Sequence, residues 1–216
     1  RVTLAKATQG GRPLCCGRTF LAAGLVDEAR EEAQRTLAAL MPMVERGVPV
    51  IGLEPSCLLT LRDEFKVLLP GEAADRLAEN AVLFEEFIAN ELDNGRFNLE
   101  LEALPEKKAL LHGHCHQKAL ASTSPTKFVL NFPSNYTAEE IPSGCCGMAG
   151  SFGFEKEHYN LSMEIGDMVL FPAVRETDEN TLIVATGTSC RHQIKDGTGR
   201  RSYHPVEVLH DALRNS

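Results

Sequence analysis

The 216-residue chain lacks long apolar runs, and basic residues are in the minority. No stretch approaches the roughly 18–20 apolar residues that a membrane-spanning helix needs, so we expect a cytoplasmic protein or one peripheral to a membrane. Lys and Arg number 22 against 30 Asp and Glu, which gives a net charge of −8. A negative surface repels phosphate backbones and disfavours nucleic-acid binding. Hydrophobic residues make up 43% of the chain, enough to build a core.

The chain also lacks an even number of cysteines. Seven cysteines leave at least one unpaired, and no apolar signal segment precedes them, so a complete disulfide framework is not expected. Such cysteines bind metal, perform redox chemistry or pack as small buried side chains. The glycine-rich segment 144–153 matches neither a dinucleotide-binding nor a P-loop pattern. Because the chain opens without Met, we expect it to be part of a longer polypeptide.

The cysteines follow an internal repeat. Cys15-Cys16-Gly17 recurs 130 residues later as Cys145-Cys146-Gly147. Each pair is followed by a distant cysteine that comes directly after serine: Cys57 lies 41 residues after the first pair, and Cys190 lies 44 residues after the second. The duplication predicts two related structural units.

Hydrophobic periodicity gives both halves the same order of elements: cysteine pair, helix, buried strand, and cysteine at the strand's carboxyl end. The predicted helices cover about 26–46 and 155–174, and the predicted strands cover 48–53 and 181–185. Strands alternating with helices predict an α/β fold with small, mainly parallel sheets flanked by helices.

Only the second half carries an upstream part. It has a predicted strand at 107–112 leading to Cys115, and a further short strand at 127–131. A helix over 72–94 separates the repeats. We therefore expect a first repeat over 1–104, truncated at its N-terminus, and a complete second repeat over 105–216.

Four cysteines of the second half, Cys115, Cys145, Cys146 and Cys190, lie beside glycines or strand ends. Sites in open α/β sheets form beyond the carboxyl ends of the strands, so these thiols can converge. Four soft thiolates suit zinc or an iron–sulfur cluster. Adjacent cysteines point in different directions, and the short knuckles of structural zinc sites are absent, which favours the cluster.

Other residues near these cysteines allow more than one interpretation. His112, His114 and His116 alternate along an extended segment, so either a His-Cys-His zinc site or a hydrogen-bonding role stays open. For Cys15, Cys16 and Cys57, ligation and structural burial both stay open, because a fourth partner is absent. A helix after Cys190 is expected to direct its positive N-terminal dipole at the thiolates. The acidic stretch Glu28–Glu32 is expected to be solvated, and Phe152, Phe154 and Tyr159 are expected in the core.

These motifs resemble the paired cysteine-rich CCG domains. Such domains occur in the glycolate oxidase iron–sulfur subunit, in the second subunit of heterodisulfide reductase, in the third subunit of anaerobic glycerol-3-phosphate dehydrogenase and in lactate-utilisation proteins. Three segments, 113–118, 144–153 and 189–194, are similar to the C-terminal region of FAD-linked oxidases of the D-lactate or D-2-hydroxyglutarate dehydrogenase type.

The resemblance implies electron transfer from FAD, in another part of the parent protein, to a quinone or another acceptor. It implies a [4Fe-4S] cluster on Cys115, Cys145, Cys146 and Cys190, which Zn can replace in purified material. A second cluster would be ligated by Cys15, Cys16 and Cys57, together with a cysteine outside this chain. The chain alone is then expected to have no dehydrogenase activity.

The sequence departs from the fullest family motif, which ends in Cys-x-x-Cys. Glu54 and Gly187 stand where the additional cysteines would be. This favours a simple four-thiolate cluster, or none, over the non-cubane cluster and thiol–disulfide catalysis of heterodisulfide reductase. Two alternatives remain: a thiol–disulfide redox domain that uses Cys145 and Cys146, and a metal-free docking domain.

Overall fold

The computed structural model describes residues 2–7 and 11–213. Contacts divide the chain into two compact units, Arg1–Leu83 and Phe84–Ser216. The repeat boundary expected near residue 104 falls within the second unit, and as a boundary between sequence repeats it stays a prediction. No helix among the described residues combines the length and the hydropathy that crossing a membrane requires.

The first unit contains five helices and one pair of strands among its described residues. These are α1 (Arg18–Ala22), α2 (Val26–Val44), β1 (Val50–Gly52), α3 (Pro55–Arg62), α4 (Glu64–Leu68), α5 (Glu72–Asn80) and β2 (Ala81–Leu83). The strands are parallel, with Val50 paired to Ala81. Helix α2 forms as the periodicity predicted, because Ala29, Ala33, Leu40 and Val44 share one buried face.

The second unit is built on a larger sheet. Its elements are α6 (Phe84–Asp93), β3 (Lys108–His112), α7 (Cys115–Leu120), α8 (Ser124–Leu130), β4 (Thr137–Glu140), α9 (Tyr159–Asp167), α10 (Leu170–Arg175), β5 (Leu182–Ala185), α11 (Thr188–Thr198), β6 (Ser202–Tyr203) and α12 (Pro205–Asp211), with a 3-10 turn at Phe152–Phe154. The predicted α/β class with small parallel sheets is confirmed.

The order of the strands determines where a site can form. The sheet runs β4-β3-β5-β6 and every pairing is parallel. From β3 the chain passes to one neighbour, β4, whereas from β5 it passes to β6 on the opposite side. The carboxyl ends of β3 and β5, where His112 pairs with Ala185, therefore form the topological switch point.

Several local predictions were wrong. Residues 127–131 do not form a strand: Pro125 sits in the first turn of α8, a position that proline favours, and the strand lies at Thr137–Glu140. Strand β2 interrupts the helix expected over 72–94, since its short apolar run pairs with β1.

Two burial predictions were also wrong. Glu32 is buried rather than solvated, because the guanidinium groups of Arg12 and Arg35 pair with its carboxylate. Phe154 and Tyr159 are exposed rather than in the core.

Candidate metal centre

The second cysteine pair lies on a tight loop after β4 that depends on Gly147. Gly147 has φ +100°, and a Cβ atom there would lie 2.1 Å from the carbonyl oxygen of Ser162. Its N–H group donates a hydrogen bond to Sγ of Cys145 at 3.3 Å. Gln193, on α11, donates from Nε2 to the same Ser162 carbonyl at 3.0 Å. Only glycine fits this close approach, and the loop is thereby packed against α9 and α11.

The first cysteine pair repeats this geometry. Gly17 has φ +80°, and an added Cβ atom would lie 2.8 Å from the carbonyl oxygen of Ala29. Its N–H group donates to Sγ of Cys15 at 3.4 Å. The sequence repeat is therefore a repeat of backbone conformation as well, and the glycine after each pair has the same structural role.

Helix starts place the distant cysteines. Cys57 and Cys190 are each the third residue of a helix, α3 and α11. The sequence had placed them at strand ends with a helix beginning after Cys190, but α11 begins at Thr188. Cys115 is the first residue of α7, which follows β3. In the second unit, Cys115 and Cys190 are thus brought to the switch point by neighbouring strands.

A buried polar network joins α7 to α8 and to the carboxyl end of β5. Gln117, on α7, is fully buried and donates from Nε2 to Oγ1 of Thr126 at 2.9 Å. Thr186, which follows β5, donates to Oε1 of Gln117 at 3.2 Å. Each partner satisfies the buried amide, so α7 is fixed relative to the carboxyl end of β5.

The four predicted cysteines of the second unit form a chain of neighbouring thiols. Hydrogen bonds link Cys115 to Cys145, Cys145 to Cys146, and Cys146 to Cys190. Each sulfur therefore neighbours the next, but Cys115 and Cys145 lie outside the compact group that Cys146 and Cys190 form with His112. Cys145 is partly exposed, whereas Cys146 and Cys190 are buried.

The pKa values of the four thiols are shifted in opposite directions. Donation from Cys115, then from Cys146, and then from backbone N–H groups holds the pKa of Cys145 well below its ordinary value, against the effect of burial. Donation from Cys146, with smaller contributions from His112 and His114, lowers the pKa of Cys190. The pKa values of Cys115 and Cys146 are raised, first because they donate and then because they are buried. Thiolates are the form that binds metal.

One histidine joins the thiols. His112, at the end of β3, is fully buried, and a ring nitrogen lies within 4.8 Å of Sγ of both Cys146 and Cys190. Its Nδ1 atom lies 2.8 Å from Oγ of Ser143, which is also buried. A hydrogen bond with His112 is one of the causes that lower the pKa of Cys190, although Nε2 itself has no hydrogen bond of ordinary geometry to any described residue. Nε2 is therefore the nitrogen available to the thiols.

The other two histidines behave differently. Nδ1 of His114 accepts a hydrogen bond from the backbone N–H of His116 at 3.2 Å, so His114 caps helix α7. Its ring packs edge-on against that of His116 at 5.4 Å. Among residues 2–7 and 11–213, one group of three metal-ligating side chains is compact: His112, Cys146 and Cys190. The His-Cys-His set around Cys115 does not form such a group.

The cysteines of the first unit are placed less favourably for binding a metal. Cys16 is buried and donates to Cys57, which raises the pKa of Cys16 and lowers that of Cys57. Cys57 is exposed and Cys15 is partly buried. This unit therefore reproduces the Cys146–Cys190 pairing, but not a compact group of three donors within its described residues.

Sequence reasoning missed two residues that hold the cysteine loop. Ser143 precedes the loop and contacts His112, while Nζ of Lys118 donates to the carbonyl oxygen of Ser143 at 2.5 Å. A lysine three residues after Cys115 was visible in the sequence. Its contact with a residue 25 positions away was not, because it depends on the parallel pairing of β3 with β4.

Comparisons with known proteins agree with this arrangement. Residues 109–195 match the CCG family, described as a cysteine-rich domain. The chain is 32% identical over 200 residues to the third subunit of anaerobic glycerol-3-phosphate dehydrogenase of Escherichia coli (strain K12), covering 92% of this chain and 49% of that protein. It is 29% identical to D-2-hydroxyglutarate dehydrogenase of the same strain, covering 88% of this chain and 18% of that protein.

A further relative is lactate utilization protein A of Bacillus velezensis, which is 26% identical over 92% of this chain and 81% of that protein. The chain spans about half the length of the glycerol-3-phosphate dehydrogenase subunit and less than a fifth of the 2-hydroxyglutarate enzyme. The resemblance found in the cysteine motifs is confirmed. Over residues 109–195, the chain is similar to the cysteine-rich domain of the CCG family.

Proposed function

We propose that the second unit binds an iron–sulfur cluster of the [4Fe-4S] type through Cys115, Cys145, Cys146 and Cys190, and serves in electron transfer within an oxidoreductase. The observation that carries this proposal is the chain of four neighbouring thiols at the sheet's switch point. When bound, such a cluster exchanges single electrons.

The residues present fit this group. All four donors are sulfur, the ligand type that holds iron–sulfur clusters. The N–H group of Gly147 already donates to Sγ of Cys145, and hydrogen bonds of this kind stabilise a negatively charged thiolate. The lowered pKa values of Cys145 and Cys190 favour the deprotonated form that ligation requires.

The helices α7 and α11 contribute both position and positive potential. Cys115 and Cys190 lie in their first turns, where unpaired backbone N–H groups create positive potential. The Gln117–Thr186 hydrogen bond fixes α7 relative to the segment that leads from β5 into α11. The thiols are thus held in place before any ligand binds, which reduces the entropic cost of binding.

We further propose that the parent protein is a flavin-linked dehydrogenase of 2-hydroxy acids. Lactate and 2-hydroxyglutarate, which occur in the names of two relatives, both belong to this chemical class. FAD would lie outside this chain, and a quinone or another acceptor would receive the electrons. Cys15, Cys16 and Cys57 would ligate a second metal centre, together with a cysteine outside the chain.

The test is the iron, acid-labile sulfide and zinc content of the chain purified without oxygen. We expect about four irons and four sulfides per chain, and a brown colour that Cys145→Ser or Cys190→Ser removes. Cys57→Ser is the matched control, because Cys57 has the equivalent position in the first repeat, and it should leave most of the colour. Iron near zero after attempted reconstitution would contradict the proposal.

The thiol–disulfide alternative has one observation in its favour, the Cys145 thiolate beside the Cys146 thiol. The same preparation tests it. If iron is absent and Cys145 and Cys146 form a disulfide with a low-molecular-weight disulfide as oxidant, a thiol-redox role replaces the cluster. If neither result is obtained, the docking interpretation is favoured.

A further inference from the structure

We propose that Glu85 and His204 form a buried proton-binding site that takes up a proton when the metal centre of the second unit gains an electron. The inference rests on the proposed function and goes beyond it, because it assigns a proton to the transferred electron. In the coupled step, a reduced flavin outside the chain gives up the electron and is oxidised. The proton comes from the solvent and binds to the carboxylate of Glu85, which becomes the neutral acid.

The first observation is the burial of Glu85, the second residue of α6. Glu85 is 1% exposed, and its Oε1 atom has no hydrogen-bond partner in the described part of the chain. Removing a charged carboxylate from water is costly unless the charge is paired, so burial favours the protonated form. Burial raises the pKa of Glu85 to about 7, and the carboxyl is therefore partly ionised near neutral pH. A modest change in the local potential then changes its protonation.

The second observation is the orientation of His204, which is also buried. Its Nδ1 atom accepts a hydrogen bond from the backbone N–H of Val206 at 3.0 Å, and its own backbone N–H donates to the carboxylate of Glu207 at 2.7 Å. Because Nδ1 accepts, the proton of the neutral ring lies on Nε2. Nε2 lies 3.9 Å from Oε1 of Glu85. This distance is longer than a hydrogen bond, which leaves Oε1 able to accept a proton.

The charged groups on the surrounding helices do not neutralise Glu85. Helix α6 packs against α8, and α8 packs against α12. Besides Glu85, the ionisable residues of these three helices are Glu86, Glu91, Asp93, Lys127, Glu207, His210 and Asp211. The negative charge of Glu86 raises the pKa of Glu85 further. Lys127, the one lysine of this set, pairs with Glu140 at 3.3 Å, so protonation is the way in which Glu85 loses its charge.

The third observation is the position of the pair at the end of the sheet that carries the thiols. Tyr203, the last residue of β6, pairs with Val184 of β5, and His204 follows it with extended backbone. Ala185, the residue after Val184, pairs with His112 of β3. His204 and His112 thus lie on either side of β5, roughly 10 Å apart at the backbone. Ala185 lies between them, is fully buried and has no polar side chain.

This separation lets an electron and a proton affect each other. At a distance on the order of 10 Å and an effective dielectric constant of about 20, one added negative charge raises the pKa of a carboxyl by about one pH unit. Glu85, which is partly ionised near pH 7, then binds a proton. Linkage makes the effect reciprocal, so a protonated Glu85 makes the centre easier to reduce.

The experiment measures the midpoint potential of the iron-loaded chain by titration with dithionite, at several values between about pH 6 and pH 8. We expect the potential of the unmodified chain to fall as pH rises, because loss of the proton leaves a negative charge near the centre. Glu85→Gln should give a potential that is nearly level with pH, whereas Glu85→Asp, which keeps a carboxyl, should retain most of the fall. Glu164→Gln, at an exposed position, is the matched control and should behave as the unmodified chain.

A second measurement needs no variant and so does not depend on the folding of Glu85→Gln. The infrared difference spectrum between the reduced and the oxidised chain should show a gain of the C=O stretch of a protonated carboxylic acid. No gain of this stretch, or equal pH dependence of the potential in the unmodified chain and in Glu85→Gln, would overturn the inference. Iron and sulfide are measured in the same samples. A chain without iron contradicts the proposed function and the inference with it, whereas an iron-loaded chain without the pH effect contradicts the inference alone.

Discussion

Nδ1 of His112 lies 2.8 Å from Oγ of Ser143, and both side chains are buried. The contact joins the end of β3 to the residue that leads into the second cysteine loop. His112 thus belongs to the strand that positions Cys115, and Ser143 to the segment that positions Cys145 and Cys146. This hydrogen bond therefore fixes the strand end beside Cys115 relative to the loop that carries Cys145 and Cys146.

Ser143→Ala should lower the free energy of unfolding by about 1–3 kcal/mol, because it leaves the buried His112 Nδ1 without a partner. Chemical denaturation of the metal-free chain measures this. Ser134→Ala is the control, since Ser134 is exposed, and it should change stability by less than about 0.5 kcal/mol. Equal stability of the two variants would show that the contact with His112 contributes nothing.

Gly147→Ala should be strongly destabilising, whereas Gly144→Ala should be tolerated. At Gly147 the backbone has φ +100° and a Cβ atom would lie 2.1 Å from a backbone oxygen, while at Gly144 nothing lies within 4 Å of an added Cβ atom. The strained backbone alone costs about 1–3 kcal/mol, and the displaced α9 carbonyl adds to it. Denaturant unfolding of both variants gives the comparison, and similar values would contradict the loop geometry.

The pH dependence of stability should show a contribution from Glu85. Burial raises the pKa of its carboxyl from 4.5 to about 7, and Nε2 of His204 lies 3.9 Å from Oε1. Because the folded state binds this proton more tightly than the unfolded chain does, the stabilisation is complete below pH 4.5 and is lost as pH rises through about 7. The loss amounts to about 3 kcal/mol by the usual conversion.

Glu85→Gln should remove that dependence, since an amide stays neutral at every pH. Unfolding free energies between pH 5 and pH 8, at intervals of about one unit of pH, should fall for the unmodified chain and stay nearly level for the variant. Glu164→Gln, at an exposed position, should keep the fall. If all three proteins respond alike, a group other than Glu85 controls the pH dependence.

The parts of the fold that could be predicted are those with strong local signals. Helix α2 and strands β1, β3 and β5 follow from periodicity and apolar runs. The duplicated cysteine motif predicted two related units, and the structure adds that the loops at Gly17 and Gly147 share a geometry. Short strands such as β6 carry too few residues to show a pattern. The roles of Ser143 and Lys118 depend on strand pairing across the sheet, which no local pattern encodes.

Cys57 and Cys190 occupy equivalent positions, each the third residue of a helix, yet their surroundings differ. Cys57 is exposed, whereas Cys190 is 1% exposed. Cys57 accepts a hydrogen bond from Cys16, and Cys190 accepts one from Cys146; both bonds lower the pKa of the accepting thiol. Because both thiols are shifted toward the thiolate, solvent exposure should decide which one reacts first. Iodoacetamide should therefore modify Cys57 of the reduced, metal-free chain well before Cys190, as peptide mapping by mass spectrometry over time can show. Simultaneous labelling would mean that the second unit opens readily without metal, and the preformed set of thiols would then not exist in solution.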